Sequence, residues 1–180
     1  MRRHRMKYFE LFQSPKVENP IAVMGLDKDV YCYAMRQKDF EALDKMKVAY
    51  YSGSESEEPC DILTDPTFMI SDKLKRLIAM YDKEIVFKGV QVFSTSKERE
   101  DYPLYWVPQF PEINALHSSS IINDNGSIAT LILDNRMIGN MHVFRLSDCL
   151  EYKVVVSMTV AESILRRRLY GIGLKKLEVA

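Results

Sequence analysis

The sequence has 180 residues, and its 25 basic and 25 acidic side chains cancel to a formal net charge of zero. That balance excludes a global field able to gather nucleic acid or an anionic membrane, so any charged partner must be met by a local patch. The length suits one domain, or one domain with a small N-terminal extension, and is enough to bury a sizeable core.

Met1 to Lys7 carries Arg2, Arg3, Arg5 and Lys7, but the Tyr-Phe-Glu-Leu-Phe that follows is too short and too acidic for a signal-peptide core. No apolar run reaches membrane-spanning length, so the expected location is the cytoplasm with no membrane partner. Cys32, Cys60 and Cys149, odd in number and widely spaced, read as free thiols. The basic tail is expected to be frayed and to lead into a strand over 7–12. Pro15 and Pro20 mark a loop. Strands are predicted over 21–24 and 30–35, a short helix from about Lys38, and a strand over 48–51.

Residues 52–61 read Ser-Gly-Ser-Glu-Ser-Glu-Glu-Pro-Cys-Asp, the one compositionally biased stretch. It lacks the apolar residues to offset the entropy of ordering, so an exposed, mobile loop is expected. Glu55, Glu57, Glu58, Asp61 and Asp65 make it a candidate acidic contact for a basic partner.

A strand over 68–70 follows, then Ser71, then Leu74, Leu77, Ile78 and Tyr81 at helical spacing, then a strand over 85–93. Tyr102 to Pro108 is a strand bracketed by Pro103 and Pro108, which favours a sheet edge. Its Tyr102, Tyr105 and Trp106 are candidate contact residues, because aromatic side chains at an edge are common binding anchors. Asp124-Asn125-Gly126 signals a hairpin leading into a strand over 128–133. A turn over 134–140 then sends a strand back over 141–146.

The last third repeats the earlier layout. Val154 to Val156 is a β-branched run suited to a buried strand. Ser157 or Thr159 can cap the helix that follows, Thr159 and Glu162 having capping-box spacing. Ala161, Ile164, Leu165 and Leu169 form its apolar stripe, Gly171 is expected to end it, and 174–179 reads as a returning edge strand. The class is therefore α+β: a mixed or antiparallel sheet, two strand–serine–helix–strand units, and a β-hairpin region between them.

Chemistry is sought without a clear find. No G-x-S-x-G elbow occurs, and Ser118 to Ser120 lack its setting. His4, His117 and His142 form no metal-ligand spacing with one another or with the cysteines, so no metal or cofactor is expected. A thiol pair of Cys149 with His117 or His142 is the enzymatic alternative. Arg166 to Arg168 lie where a helix C-terminus favours cations, which accounts for them without a ligand.

Four segments in this order resemble a family of bacterial immunity proteins from polymorphic-toxin systems, once catalogued only as a domain of unknown function. They are Phe68 to Ser71 with its helix, Leu131 to Asp134 leading to Phe144-Arg145-Leu146, Val154 to Ser157 with its helix, and the Gly171 turn before the last strand. Ser71, Phe144, Arg145, Leu146, Ser157 and Gly171 are the motif positions, in structural roles. The sequence departs from the family pattern at Met158, where an acidic residue is common, and after Gly171, where an aromatic residue is usual. The resemblance covers roughly 60–179 and divides the chain into an N-terminal region, 1–60, and an immunity-like region, 61–180, in one continuous globular domain. It implies a non-enzymatic protein with no catalytic residues, which binds and blocks one cognate toxin. The rivals are the thiol enzyme and an accessory protein binding another protein or nucleic acid.

Overall fold

The computed structural model describes residues 6–32, 37–96, 99–147 and 149–180. The elements in chain order begin with β1 (Tyr8–Gln13), α1 (Gln37–Glu41), β2 (Met46–Tyr51), β3 (Ile62–Leu63), β4 (Met69–Ser71), α2 (Asp72–Ile78) and β5 (Val86–Ser94). Then come β6 (Leu104–Gln109), β7 (Glu112–Ile113), β8 (Ile121–Ile122), β9 (Ile128–Thr130), β10 (Ile132–Leu133) and α3 (Asn135–Ile138). The chain ends with β11 (Val143–Leu146), β12 (Val154–Ser157), α4 (Met158–Leu165), β13 (Ile172–Lys176) and β14 (Glu178–Val179). This is a mixed α+β fold with several open sheets and few, short helices. Among the described residues no helix is long and apolar enough to cross a membrane. The tail through Arg5, with His4, lies outside the described residues, as do positions 33–35 of the strand expected over 30–35. Val30 and Tyr31 instead form a turn, both amides donating to Asp27 O at 3.1 and 2.7 Å.

The chain forms two compact units, one built from 1–12, 110–168 and 173–180, the other from 13–109 and 169–172. The first centres on β12, in a five-stranded sheet of order β13-β1-β12-β11-β7. Val154, Val155 and Val156 are fully buried, as their β-branched run requires. β12 pairs antiparallel with both β1 (Tyr8 opposite Ser157) and β11 (Val143 opposite Val156). Tyr8 meets Phe144 edge-on with ring centroids 5.8 Å apart, and Leu146, Val155 and Leu177 share their core.

Ser157, rather than Thr159, caps α4, its oxygen accepting from Val160 N at 3.5 Å. Val160, Ala161 and Ile164 face inward. The helix does not run to Gly171. It stops at Leu165, where Arg166 N donates to Glu162 O (3.0 Å), Arg167 N to Ile164 O (3.1 Å) and Arg167 Nη1 to Ser163 O (2.9 Å). With its last carbonyls satisfied in this way, the helix needs no left-handed glycine. Leu169 therefore lies beyond the helix, outside the stripe assigned to it.

The expected return hairpin over 134–140 is also corrected. Asp134 caps the short α3, and β10 pairs in parallel with β14 instead of with β11. Asp134 accepts from Arg136 N (2.9 Å) and from Arg136 Nη2 (2.7 Å), and these bonds hold its carboxyl down at about 2. A depressed carboxyl contributes stability above its unfolded value, near 3.8, that is lost as pH falls through the folded value. An NMR titration should find its inflection near 2; one in the ordinary carboxylate range would contradict the cap. The other predicted hairpin is present as β8 and β9. Gly126 (φ 83°) closes its turn by donating to Asn123 O at 2.9 Å.

The second unit holds a sheet of order β2-β5-β6-β4-β3. β6 was expected at an edge, yet it lies in the centre, antiparallel to both β5 and β4. Its prolines permit this because β4 pairs only with Tyr105 and Trp106, so Pro108 lies beyond the β4 register with β5 alone beside it. The segment 21–24 forms one isolated bridge instead of a strand, Met24 with Tyr50. Ser71 caps α2, accepting from Leu74 N at 3.2 Å. One face of the sheet, with Ala49, Tyr51, Val90, Val92, Tyr105 and Val107, packs on the unit's hydrophobic core.

Candidate partner-binding surface

The acidic stretch is ordered by one of its own carboxylates. Glu57 is only 9% exposed. Its Oε2 accepts from Ser52 Oγ (2.6 Å), Gly53 N (3.0 Å) and Ser54 N (3.1 Å), and its Oε1 from Ala22 N (3.4 Å). A loop without apolar residues is thereby closed on a charged acceptor, which the composition did not reveal. Glu55 is left fully on the surface and Glu58 half-buried, accepting from the Tyr170 hydroxyl. Asp65 is exposed.

Asp61 is also turned inward, at 8% exposure. Its Oδ1 accepts from the Ser71 hydroxyl and its Oδ2 from Tyr170 N at 2.5 Å. Asp61 N donates to Tyr170 O at 2.7 Å, and Ser71 N to Asp61 O at 3.0 Å. Asp61 thus joins the α2 cap to the segment 169–172. Gly171, in that segment, has φ 73°, and a Cβ on it would overlap Cys60 Cβ and come within 3.0 Å of Val17 Cγ2. Close approach is therefore the reason for this glycine, in place of the helix stop assigned to it. Burial pushes the Cys60 thiol up to about 11, leaving it a protonated donor to Ile62 O.

The three aromatic candidates on β6 and the segment leading into it have different fates. Tyr105 is buried, its hydroxyl donating to Cys60 O at 2.9 Å, and burial raises its pKa. Trp106 is half-buried: its Nε1 donates to Asp72 Oδ1 (3.0 Å) and Lys75 Nζ stands 4.4 Å over its ring. Tyr102 is exposed and packs against Phe93, with ring centroids 5.3 Å apart.

Arg99 ties the acidic loop to Asp101, the residue before Tyr102. Its Nη1 donates to Ser54 O (3.0 Å) and Glu57 O (2.9 Å), and its Nε pairs with Asp101 at 3.0 Å. Asp101 also accepts from the Tyr51 hydroxyl; burial first, and then this bond, push the phenol up to about 12. The segment before β6 is thus clamped onto the loop, and Glu55, Glu100 and Tyr102 emerge at the same end of the sheet. Sequence reasoning passed over Arg99, which sits in a run of charges with nothing to distinguish it.

The motif positions of the other unit are buried or paired within it. Phe144 and Leu146 are core residues, and Arg145 pairs with Glu112 at 2.9 Å beneath the Tyr152 ring. The structure joins His142 Nδ1 to Ser157 Oγ at 2.9 Å, and directs the Cys149 thiol to Glu151 O (3.1 Å) and Leu146 O (3.7 Å). Ser157 is fully buried and its oxygen is the α4 cap, so no substrate can reach it. The described residues contain no group of three or more histidine, cysteine, aspartate or glutamate side chains able to hold a metal ion.

The family model described as the immunity protein family Imm11 matches residues 23–179. It begins well ahead of residue 60, where the recognisable motifs start, and so takes in most of the N-terminal third. No curated protein matches the chain.

Proposed function

Because the chain belongs to the Imm11 immunity protein family, we propose that it is a non-enzymatic protein that binds and blocks one cognate toxin of a bacterial polymorphic-toxin system. It acts in the cytoplasm, where an intracellular toxin would reach its target. The two strand–serine–helix–strand units form the framework in this reading, and Ser71, Ser157, Phe144, Leu146 and Gly171 keep it in shape. Family membership supports the immunity role. One structural observation supports the binding surface: Arg99 ties the acidic loop to Asp101, the residue before the exposed Tyr102, so that Glu55 and Glu100 emerge at the same end of the sheet as that ring.

The zero net charge hides an asymmetry that fits this reading. The unit carrying the loop has 17 acidic and 13 basic residues, and the other has 8 and 12. A basic toxin face would be drawn to the acidic unit. Of the acidic candidates, Glu55 and Asp65 are exposed to meet it and Glu58 is half-exposed with a bond to Tyr170, whereas Glu57 and Asp61 act from inside.

Co-expression with the product of the neighbouring gene tests the role. Rescue of growth with a co-purifying one-to-one complex is the expected result; toxicity that the chain does not relieve would overturn it. The triple variant Glu55→Gln, Glu58→Gln, Glu100→Gln should slow association about tenfold at low salt and much less at high salt. An unchanged association rate would remove the acidic loop from the interface.

A further inference from the structure

We propose that the centre of the toxin interface is the open half of the outer face of the β2-β5-β6 sheet, and that it takes a toxin surface with an apolar ridge flanked by lysine or arginine. The inference rests on the immunity reading and assigns that activity a surface and a partner chemistry.

The outer face is finished on one side only. There α2 lies against β4 and β6, and Lys75 covers the rings of Phe87 and Trp106. On the other side Met46, Val48 and Tyr50 point outward at alternate positions of β2, and Met24 joins Tyr50 through a bridge with bonds of 2.7 and 2.9 Å. These four stand 46% to 49% exposed. Tyr50 lies opposite Phe93, and Phe93 packs on Tyr102, so the apolar row runs on without a break to the acidic end.

A solvated sheet face normally alternates polar residues outward. β2 has apolar residues on both faces, and a contiguous exposed patch of this kind marks an interaction site. The edge of β2 also carries Lys45 and Lys47, charges that oppose addition of another strand. The occupant therefore sits on the face.

The floor of the patch is adaptable. Met46 lies across Gly89, where a Cβ would stand 2.7 Å from Met46 Sδ and 3.4 Å from Trp106. The missing side chain leaves room for a flexible thioether that can repack under a ligand. Charge selects the occupant. Glu55 and Glu100 are exposed on the loops at the Tyr102 end of the sheet, while the guanidinium of Arg99 is bound to Ser54, Glu57 and Asp101. A ridge flanked by cations satisfies both the apolar centre and this acidic end.

The test measures binding of the full chain to an inactive form of the neighbouring gene's toxin. Val48→Asp should raise Kd about 100-fold, mostly through faster dissociation, with Tm little changed. Val48→Lys should weaken binding further, because it places a cation before a cationic rim. Val48→Thr keeps the β-branched shape and should cost about fivefold, which covers the case in which the charged variants misfold. Unchanged affinity in all three, with the wild-type complex intact, overturns this inference and leaves the immunity reading standing. So does a wild-type chain that self-associates through this face and becomes monomeric on Val48→Asp. A wild-type chain that binds no toxin overturns both.

Discussion

Replacing Gly171 with alanine should lower the stability of the fold by about 3 kcal/mol, the sum of a left-handed backbone penalty and an overpacking cost. Both causes are local. The φ of 73° is unfavourable for any residue with a Cβ, and that Cβ would fall on Cys60 Cβ, with Val17 on another side. Neither neighbour is the far end of a flexible side chain, so the overlap is relieved only by moving backbone. Gly126→Ala is the control: φ there is 83°, but nothing lies within 4 Å of the added carbon. It should cost about 1 kcal/mol, the backbone penalty alone. Urea unfolding of the two variants separates the terms, and equal losses would show that the approach to Cys60 is unimportant.

Asp61→Ala should cost a similar amount, about 3 kcal/mol, because it leaves the Ser71 hydroxyl and the Tyr170 amide without their acceptor. Asp61→Asn is a graded test. Its carbonyl can still accept from Tyr170 N, and its amide can donate to the Ser71 oxygen, so about 1 kcal/mol is expected. Hydrogen exchange should locate the damage at the start of α2 and at 169–172, the two segments Asp61 joins. An alanine variant within about 0.5 kcal/mol of wild type would mean that water replaces the carboxylate without loss. Asp61→Ala should fold less stably yet still bind toxin, unlike Val48→Asp, which should do the reverse.

The acidic loop shows where residue chemistry and position part company. Its charge was legible, and Glu55 is where that charge is presented. The folding of Glu57 and Asp61 into the interior was not: Glu57 meets Ser52, Gly53 and Ser54 within its own loop, but the remaining partners are distant, Ala22 lying 35 positions from Glu57 and Tyr170 109 from Asp61. The same holds for Arg99, whose two carbonyl acceptors lie 45 and 42 residues away. Tyr105 and Tyr102 belong to one short stretch, and only the sheet assigns Tyr105 to the core and leaves Tyr102 on the surface.

Local interactions, then, were determined by the sequence alone. The β-branched run at 154–156, the serine caps of α2 and α4 and the hairpin turn at Gly126 follow from contacts within a few residues, which any chain with these side chains must make. The tertiary structure decided what depends on distant neighbours. It placed β6 in the centre of its sheet, since the prolines lie past the reach of β4; it ended α4 at Leu165 on arginine donors; and it gave Gly171 its purpose in a contact with Cys60. It also left the Met46, Val48 and Tyr50 face open, because α2 is only long enough to cover the other half of the sheet.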